Sequence, residues 1–195
     1  MGIQGTLIHP TAIVSQQNRF RLPDFFSVGA YSVVDDYSYF SARIELSDYV
    51  HLASNCTIAG GRRFLFRMGR FSSVSAGCRI WCSSNDYKRN LVALIPHDLN
   101  EALEFENIEG DVIFGDYTGL GANSVVMPGN VVPEGTVIGA LSFVPAGFTF
   151  EPWSVYAGTP IRKIASRDRD RVLRQSEILK KHYESFAKAE SETRG

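Results

Sequence analysis

The chain has 195 residues, of which 44% are hydrophobic and 21% are charged, and its formal net charge is -1. This composition predicts a globular protein with its own core, and it argues against a basic nucleic-acid binder and a disordered acidic chain. We find no apolar run long enough to cross a membrane and no secretory signal pattern at the N-terminus. Because the three cysteines are an odd number without CxxC spacing, we expect free thiols in a cytoplasmic protein.

Apolar residues recur every six positions along most of the chain. A weak block holds Ile8 and Val14, and stronger blocks occupy 28–58, 68–80 and 114–156. An amphipathic helix would instead need three- and four-residue spacing. The last block is the longest, and its apolar positions are Phe114, Leu120, Val126, Val132, Ile138, Val144, Phe150 and Tyr156.

The six-residue period predicts a β-solenoid in which one large apolar residue per short side points to the axis. The fourth position after it is often small or hydroxylated, which suits a crowded corner, and a following glycine would tolerate corner dihedral angles. Because each coil covers its neighbours, the core would form a continuous column. A β-sandwich of short strands is the alternative. The frame slips near 61–67 and at 86–107, which predicts an insertion at each place.

The insertion at 86–107 is the chemical candidate. Loops of this length are uncommon inside compact domains and are usually functional or disordered. This one contains apolar residues, Pro96 and the pair His97-Asp98, so we do not interpret it as a plain linker.

The chain ends in a charged segment with helical spacing. Val172, Leu179, Tyr183 and Phe186 fall on one helical face, and Ser166 can cap the start. We therefore predict a solenoid domain over residues 1–165 and a C-terminal helix with a tail over 166–195. Since a solenoid has two exposed ends, we expect this helix to cover one of them.

Over residues 8–165 the hexads resemble the left-handed parallel β-helix of the hexapeptide-repeat acyltransferases. Three stretches carry the resemblance: residues 115–144, SSNDY at 83–87 with the insertion after it, and PWSVYAGTPIRKI at 152–164. Within the family, the chain resembles most closely the enzymes that N-acetylate nucleotide-linked 4-amino-4,6-dideoxy sugars for O-antigen and lipopolysaccharide synthesis. The resemblance implies an all-β left-handed helix that forms a homotrimer, with active sites between subunits and the insertion reaching a neighbouring subunit.

Many relatives that acetylate sugar hydroxyls have a catalytic histidine where this chain has Ser84, Asn85 and Asp86. A hydroxyl needs a general base, which typically contributes ~10²–10⁴-fold, whereas a neutral amine is already a nucleophile. The missing histidine favours an amine acceptor that attacks the thioester directly, with Asp86 as an ammonium ligand and later proton acceptor. His97 is the other candidate base, and a sugar O-acetyltransferase that uses it is the alternative.

The resemblance also implies acetyl-CoA as co-substrate, with no metal. Small residues on the last coils would let pantetheine approach the backbone, the final turn would hold the adenine end, and two basic residues would meet the phosphates. The implied residues are Gly121, Ala122, Gly139, Ala140, Ser142, Ala157, Gly158, Thr159, Pro160, Arg162 and Lys163. Small residues are also what the solenoid itself requires, so both explanations stay open. The basic stretch at 60–70, with Arg62 and Arg63, is a candidate for the diphosphate of the sugar nucleotide.

Two other function classes share this fold. A carbonic-anhydrase-like zinc site needs three histidine ligands, and the chain has no closely spaced pair among His9, His51, His97 and His182. A non-catalytic scaffold would have no reason to keep the AGTPIRKI ending. The sequence therefore predicts acetyl-CoA, a nucleotide-linked amino sugar and two further copies of the chain as partners, with neither nucleic acid nor a membrane.

Overall fold

A computed structural model describes residues 7–93 and 95–193. The chain forms a parallel β-solenoid of about seven turns followed by one α-helix. This architecture confirms the β-solenoid predicted from the six-residue period.

Three short sides make up each turn, and strands on the same side pair in parallel with those of the next turn. The first side contains β1 (Leu7–Ile8), β4 (Phe26–Val28), the ends of β6 (Tyr39–Leu46) and β8 (Thr57–Met68), β13 (Val112–Phe114) and β16 (Val131–Val132). The second contains β2 (Ile13–Val14), β5 (Val33–Val34), β7 (His51–Leu52), β9 (Ser73–Val74), β14 (Gly119–Leu120), β17 (Val137–Ile138) and β19 (Ser154–Ala157). The third contains β3 (Arg19–Phe20), the beginnings of β6 and β8, β10 (Arg79–Trp81), β15 (Val125–Val126) and β18 (Phe143–Val144).

Six elements lie outside these sides. A 3-10 helix, η1 (Pro23–Phe25), turns the chain into β4, and a second, η2 (His97–Leu99), lies in the insertion. The insertion begins and ends in an antiparallel hairpin of β11 (Ser83–Asn85) and β12 (Asn107–Glu109). The last strand, β20 (Arg162–Ser166), turns back antiparallel to β19 before helix α1 (Arg169–Thr193).

The apolar residues of the hexads form one buried column along the axis, as the period predicts. Leu52, Ile80 and Val132 are fully buried, while Ile8 and Val14 of the weak first block are only partly covered. The hydroxylated residues four positions further on lie at the corners and connect successive coils. The Ser72 hydroxyl, for example, donates to Gly115 O at 3.1 Å and accepts from the Thr118 amide at 3.0 Å. Buried polar groups therefore reinforce the column.

The corners do not use the glycines in the way that we expected from the sequence. The left-handed backbone conformation occurs three positions after most of the apolar residues, at Tyr117 (φ 60°) and Asn123 (φ 56°) for example. The glycine directly after the apolar residue serves close packing between coils instead. A Cβ on Gly121 would lie 2.5 Å from Gly139 C and 2.7 Å from Ala140 Cα, which is well inside van der Waals contact.

Both predicted insertions occur, and they differ in form. The first is a bulge inside the long strand β8, where Ala42 pairs with Gly61 but Arg43 pairs with Leu65. Residues 62–64 are therefore extruded from the pairing. The second extends outward from the coil as the β11–β12 hairpin and its loop.

Helix α1 lies along one corner of the solenoid and does not cover an end, contrary to our expectation. Rings at this corner form an aromatic ladder of Tyr31, Tyr49, Phe71, Tyr117 and Trp153, with neighbouring centroids 4.4–5.9 Å apart. Arg169 lies over the Trp153 ring at one end of α1, and Tyr183 stacks on Tyr31 at 4.3 Å towards the other. The helix begins with Asp168 as its cap, which accepts from the Arg171 amide at 3.0 Å, because Ser166 is still part of β20.

Candidate functional site

The hairpin β11–β12 positions two of the predicted site residues, Ser84 and Asn85. Ser84 pairs with Ile108 and Asn85 with Asn107, and both are partly exposed. Antiparallel pairing fixes their backbone at the point where the insertion leaves the coil. Residues 83–85 therefore lie at the root of the insertion, and strand pairing fixes their backbone there.

Asp86 follows directly and is engaged within the insertion. Its Oδ1 accepts from the Lys88 amide at 3.0 Å, and its Oδ2 lies 3.6 Å from Arg89 Nε. Arg89 in turn donates to Glu106 Oε2 at 2.9 Å, and Asn90 accepts from the Glu106 amide at 3.3 Å. These contacts close the base of the insertion. Asp86 is therefore oriented by a cation of its own chain.

The histidines lie far apart along the fold. The backbone of His97 belongs to η2 in the insertion, and its side chain lies outside the described part of the structure. His51 Nε2 lies 2.9 Å from Asp35 Oδ2 on the second side, and His9 Nδ1 lies 3.0 Å from Thr11 Oγ1. His182 is exposed on α1, against Phe186.

A cavity of about 890 Å³ lies between the β8 bulge and the insertion. It falls in the roughly 300–1,000 Å³ range of small-molecule sites. The bulge contributes Arg62, Arg63 and Phe64. The insertion contributes five residues that sequence reasoning did not single out: Asn100, Phe105, Glu106, Asn107 and Glu109. More than 35 positions separate the two lining segments, so only the fold brings them together.

Glu109 joins the two walls of this cavity. Its Oε2 lies 3.6 Å from Arg63 Nη1, and its Oε1 accepts from the Ser83 hydroxyl at 3.3 Å. The side chain of Glu109 remains 31% exposed. A carboxylate with free accessible area beside an open cavity can take a cationic group of a ligand.

The small residues implied as CoA ligands lie together at the corner between the second and third sides. Three pairs lie at the ends of second-side strands of neighbouring turns: Gly121 and Ala122 follow β14, Gly139 and Ala140 follow β17, and Ala157 and Gly158 lie at the end of β19 and directly after it. Ala140 is exposed and Ala122 is partly exposed. These residues form a shallow strip along which a narrow ligand could approach the backbone.

Ser142 is at the same corner, but its hydroxyl is engaged in the fold. It donates to Gly139 O at 2.8 Å, it accepts from the Gly158 amide at 3.0 Å, and the residue is 2% exposed. The observed contacts of Ser142 are therefore those of a coil-to-coil connector.

The final turn carries the remaining implied residues to the surface. A cis peptide bond joins Thr159 and Pro160, and both residues are exposed. Lys163 Nζ forms an ion pair with Glu151 Oε2 at 2.7 Å. Arg162 is exposed and has no ion-pair partner among the residues that the structure describes. Of the two basic residues, Arg162 is the one whose charge is free to meet an anion.

The three cysteines are buried, and two of them, Cys56 and Cys82, are unsuited to covalent catalysis. Burial raises the pKa of the Cys82 thiol to about 12. The Cys56 thiol has a raised pKa because of its hydrogen bond with Cys78 and its burial. Since the thiolate is the reactive form, Cys82 and Cys56 are poor nucleophiles, and acyl transfer through an enzyme thioester on either is disfavoured.

Within residues 7–93 and 95–193, no group of three or more His, Cys, Asp or Glu side chains is arranged to hold a metal ion. None of the helices in these ranges combines the length and the hydrophobicity that a membrane span requires.

Comparisons with known proteins give concordant results. The chain is 29% identical to the dTDP-4-amino-4,6-dideoxy-D-glucose acyltransferase of Escherichia coli over 162 residues, which cover 80% of this chain and 79% of the relative. It is also 29% identical to a chloramphenicol acetyltransferase of Agrobacterium fabrum over 146 residues, which cover 71% and 68%. No family model matches the chain.

The solved structure of AntD, an N-acyltransferase from Bacillus cereus in complex with dTDP and 3-hydroxybutyryl-CoA, has a TM-score of 0.80 to this chain. The identity is 26%, and the match covers 91% of each chain. A serine variant of AntD has been solved with dTDP-4-amino-4,6-dideoxyglucose and coenzyme A.

The fold and these relatives confirm the predicted resemblance to the hexapeptide-repeat acyltransferases: the chain has the left-handed β-helix of AntD and is similar to enzymes that are named as acyltransferases. In sequence and fold it is similar to the dTDP-aminosugar N-acyltransferase AntD.

Proposed function

We propose that the chain transfers an acyl group from acyl-CoA, acetyl-CoA in the simplest case, to the amine of a nucleotide-linked aminodeoxy sugar similar to dTDP-4-amino-4,6-dideoxyglucose. The observation that carries the proposal is the Ser84-Asn85-Asp86 segment at the root of the hairpin, where O-acetylating relatives have a histidine. The AntD complexes with dTDP, the amino sugar and CoA support the same substrate class.

The donor would lie along the corner strip of Gly121, Ala122, Gly139 and Ala140. Its pantetheine arm needs close approach to a backbone, and these small residues, of which Ala140 is exposed and the other three are partly exposed, permit that. The adenine end and phosphates would reach the final turn near Gly158, Pro160 and Arg162, whose guanidinium suits phosphate oxygens. Lys163 and Ser142 would act indirectly, because both are engaged with the solenoid.

The chemistry would be a direct attack of the neutral amine on the thioester carbonyl. The C–N bond forms, the oxyanion is stabilised by backbone N–H donors, and collapse of the intermediate breaks the C–S bond. The proton lost by nitrogen goes to the CoA thiolate or to a carboxylate near the hairpin. Asp86 is oriented for such a role by Arg89. Most of the rate then comes from orientation of the two substrates.

The assembly that we propose is a cytoplasmic homotrimer that serves O-antigen or other surface polysaccharide synthesis. Apolar side chains next to the donor strip support an intersubunit surface there. Leu141 is 72% exposed and Phe143 is 38% exposed. Sedimentation of the purified protein as a monomer would contradict a site shared between subunits.

Release of free CoA thiol from acetyl-CoA tests the proposal. Three acceptors are compared: dTDP-4-amino-4,6-dideoxyglucose, a plain hexoside and chloramphenicol. Turnover confined to the amino sugar is expected. Turnover confined to the hexoside or chloramphenicol would overturn the amine argument, and His97 would become the leading general base. Parallel reactions with 3-hydroxybutyryl-CoA determine the acyl preference.

A further inference from the structure

The β8 bulge shapes a second, smaller cavity of about 290 Å³ on the third-to-first corner of the solenoid. It is lined by Arg21, Leu22, Ser41, Gly61 and Arg62. Two of these five residues carry guanidinium groups that come from different turns and meet at one opening. Gly61 has a φ of 78°, and a Cβ at this position would meet nothing within 4 Å, so the backbone faces open space here.

Neither guanidinium is neutralised by a carboxylate in the described part of the chain. Arg67, three positions beyond the bulge, pairs with Glu45 at 2.7 Å, and Arg63 lies 3.6 Å from Glu109. Arg62 instead lies over the Phe25 ring at 5.3 Å. Hydrogen bonds with Ser41 and then with Arg21 lower the pKa of the Tyr39 hydroxyl, which places the Arg21 charge near this hydroxyl. The guanidinium groups of Arg21 and Arg62 in this cavity therefore have no carboxylate partner among the described residues.

The smaller cavity joins the larger one, because Gly61 and Arg62 line both. At its other wall the larger cavity is lined by Glu106, which pairs with Arg89 at 2.9 Å, and by Glu109, which is 31% exposed and whose partner Arg63 lies at the longer distance of 3.6 Å. The combined space thus runs from the guanidinium groups of Arg21 and Arg62 to the partly exposed carboxylate of Glu109. A nucleotide-linked amino sugar has the complementary order of charge, with a diphosphate followed by an ammonium group.

We propose that Arg21 and Arg62 bind the diphosphate of the sugar nucleotide and that the larger cavity holds the amino sugar with its nitrogen towards Glu109. This inference rests on the proposed function. Guanidinium groups form paired hydrogen bonds with phosphate oxygens, and two of them from separate turns fix both position and direction of the ligand. Glu109 then attracts the ammonium form and holds the nitrogen near the root of the hairpin, because β12 pairs with β11 there.

The experiment compares Arg21→Gln, Arg62→Gln and Glu109→Gln with Arg67→Gln as the matched control, since Arg67 lies on the same strand and is committed to Glu45. Binding of dTDP alone is measured by calorimetry. Steady-state kinetics are measured with the nucleotide-linked amino sugar and with methyl 4-amino-4,6-dideoxyglucoside, which lacks a diphosphate. Thermal unfolding checks that each variant is folded.

Loss of a charge-assisted hydrogen bond predicts a weakening of about 10- to 100-fold. Arg21→Gln and Arg62→Gln should weaken dTDP binding and raise KM for the sugar nucleotide by this amount. They should leave KM for acetyl-CoA and for the methyl glycoside unchanged. Glu109→Gln should raise KM for the amino sugar and leave dTDP binding intact, and Arg67→Gln should change neither.

The two proposals fail in different ways. Unchanged dTDP binding in Arg21→Gln and Arg62→Gln, in an enzyme that turns over the sugar nucleotide, overturns the diphosphate site and leaves the proposed function in place. If the wild-type protein binds dTDP, both arginine variants lose this binding, and no amino sugar is turned over, then the proposed function is overturned and the diphosphate site is supported. Absence of dTDP binding by the wild-type protein overturns the site outright.

Discussion

Substitution of Gly121 by alanine separates the two explanations that the sequence left open for the small residues. A Cβ at Gly121 would lie 2.5 Å from Gly139 C and 2.7 Å from Ala140 Cα, and closer still to the Ala140 amide nitrogen. All three neighbours are backbone atoms of the next turn, so relief requires a shift of the coil. Overpacking of this kind costs typically ~1–3 kcal/mol. At roughly 2–4 °C per kcal/mol for a chain of this size, a loss of about 2 kcal/mol lowers the thermal midpoint by about 4–8 °C.

Gly119→Ala is the matched control, because it adds the same methyl group two residues earlier on the same turn. Its Cβ would lie 3.5 Å from the side chain of Val137, which is ordinary contact. A compatible Gly→Ala change stabilises by about 0.4–1 kcal/mol through the unfolded chain, so its midpoint should stay constant or rise. Scanning calorimetry of both variants is the assay. An unchanged midpoint for Gly121→Ala together with a raised KM for acetyl-CoA would refute coil packing as the reason for this glycine.

Three further outcomes are expected. Tyr183→Ala removes a stacked ring pair worth about 0.5–1.5 kcal/mol and should speed proteolysis of α1, whereas Phe186→Ala, at a residue that is 57% exposed, should not. Burial raises the pKa of the Cys82 thiol to about 12, so this thiol is almost entirely protonated at pH 8. Labelling of Cys82 by a disulfide reagent should therefore follow the unfolding rate. A fast stoichiometric reaction of Cys82 in the native protein would contradict this burial. His97→Ala should retain at least about a tenth of the wild-type kcat/KM with the amino sugar, since a general base is worth ~10²–10⁴-fold; a hundredfold loss would assign the base role to His97.

The axial column could be predicted from the sequence because one position in six is constrained by the same geometry in every turn. Every apolar step from Phe114 to Tyr156 is buried. Both insertions could also be predicted, because each one interrupts the six-residue repeat. The three- and four-residue spacing of apolar residues predicted α1 as a helix, but not its location, because hydrophobic spacing defines the face of a helix and not its partner.

The cavity walls could not be predicted in the same way. Arg21, Arg62 and Glu109 belong to three different turns, and their meeting depends on the three-residue extrusion at 62–64 and on hairpin pairing. The left-handed corner positions were missed for a related reason. Tyrosine, which occupies several of these corners, carries no backbone signal, whereas Gly115, Gly121 and Gly139, to which we assigned the corner conformation, serve packing. The candidate site of this solenoid is therefore built by the segments that interrupt the six-residue repeat, which the repeat itself does not predict.

The aromatic ladder under α1 changes how this solenoid can unfold. In an ordinary solenoid each turn contacts only its neighbours, so stability is a sum of local terms and the terminal turns can open one by one. Here a single helix lies over Trp153 of the last turn and stacks on Tyr31 of the second. Because α1 contacts both terminal regions, opening of either region breaks contacts with the helix that also packs against the other. The helix thus introduces long-range cooperativity, and we expect the seven turns to melt as one unit rather than to fray from the ends.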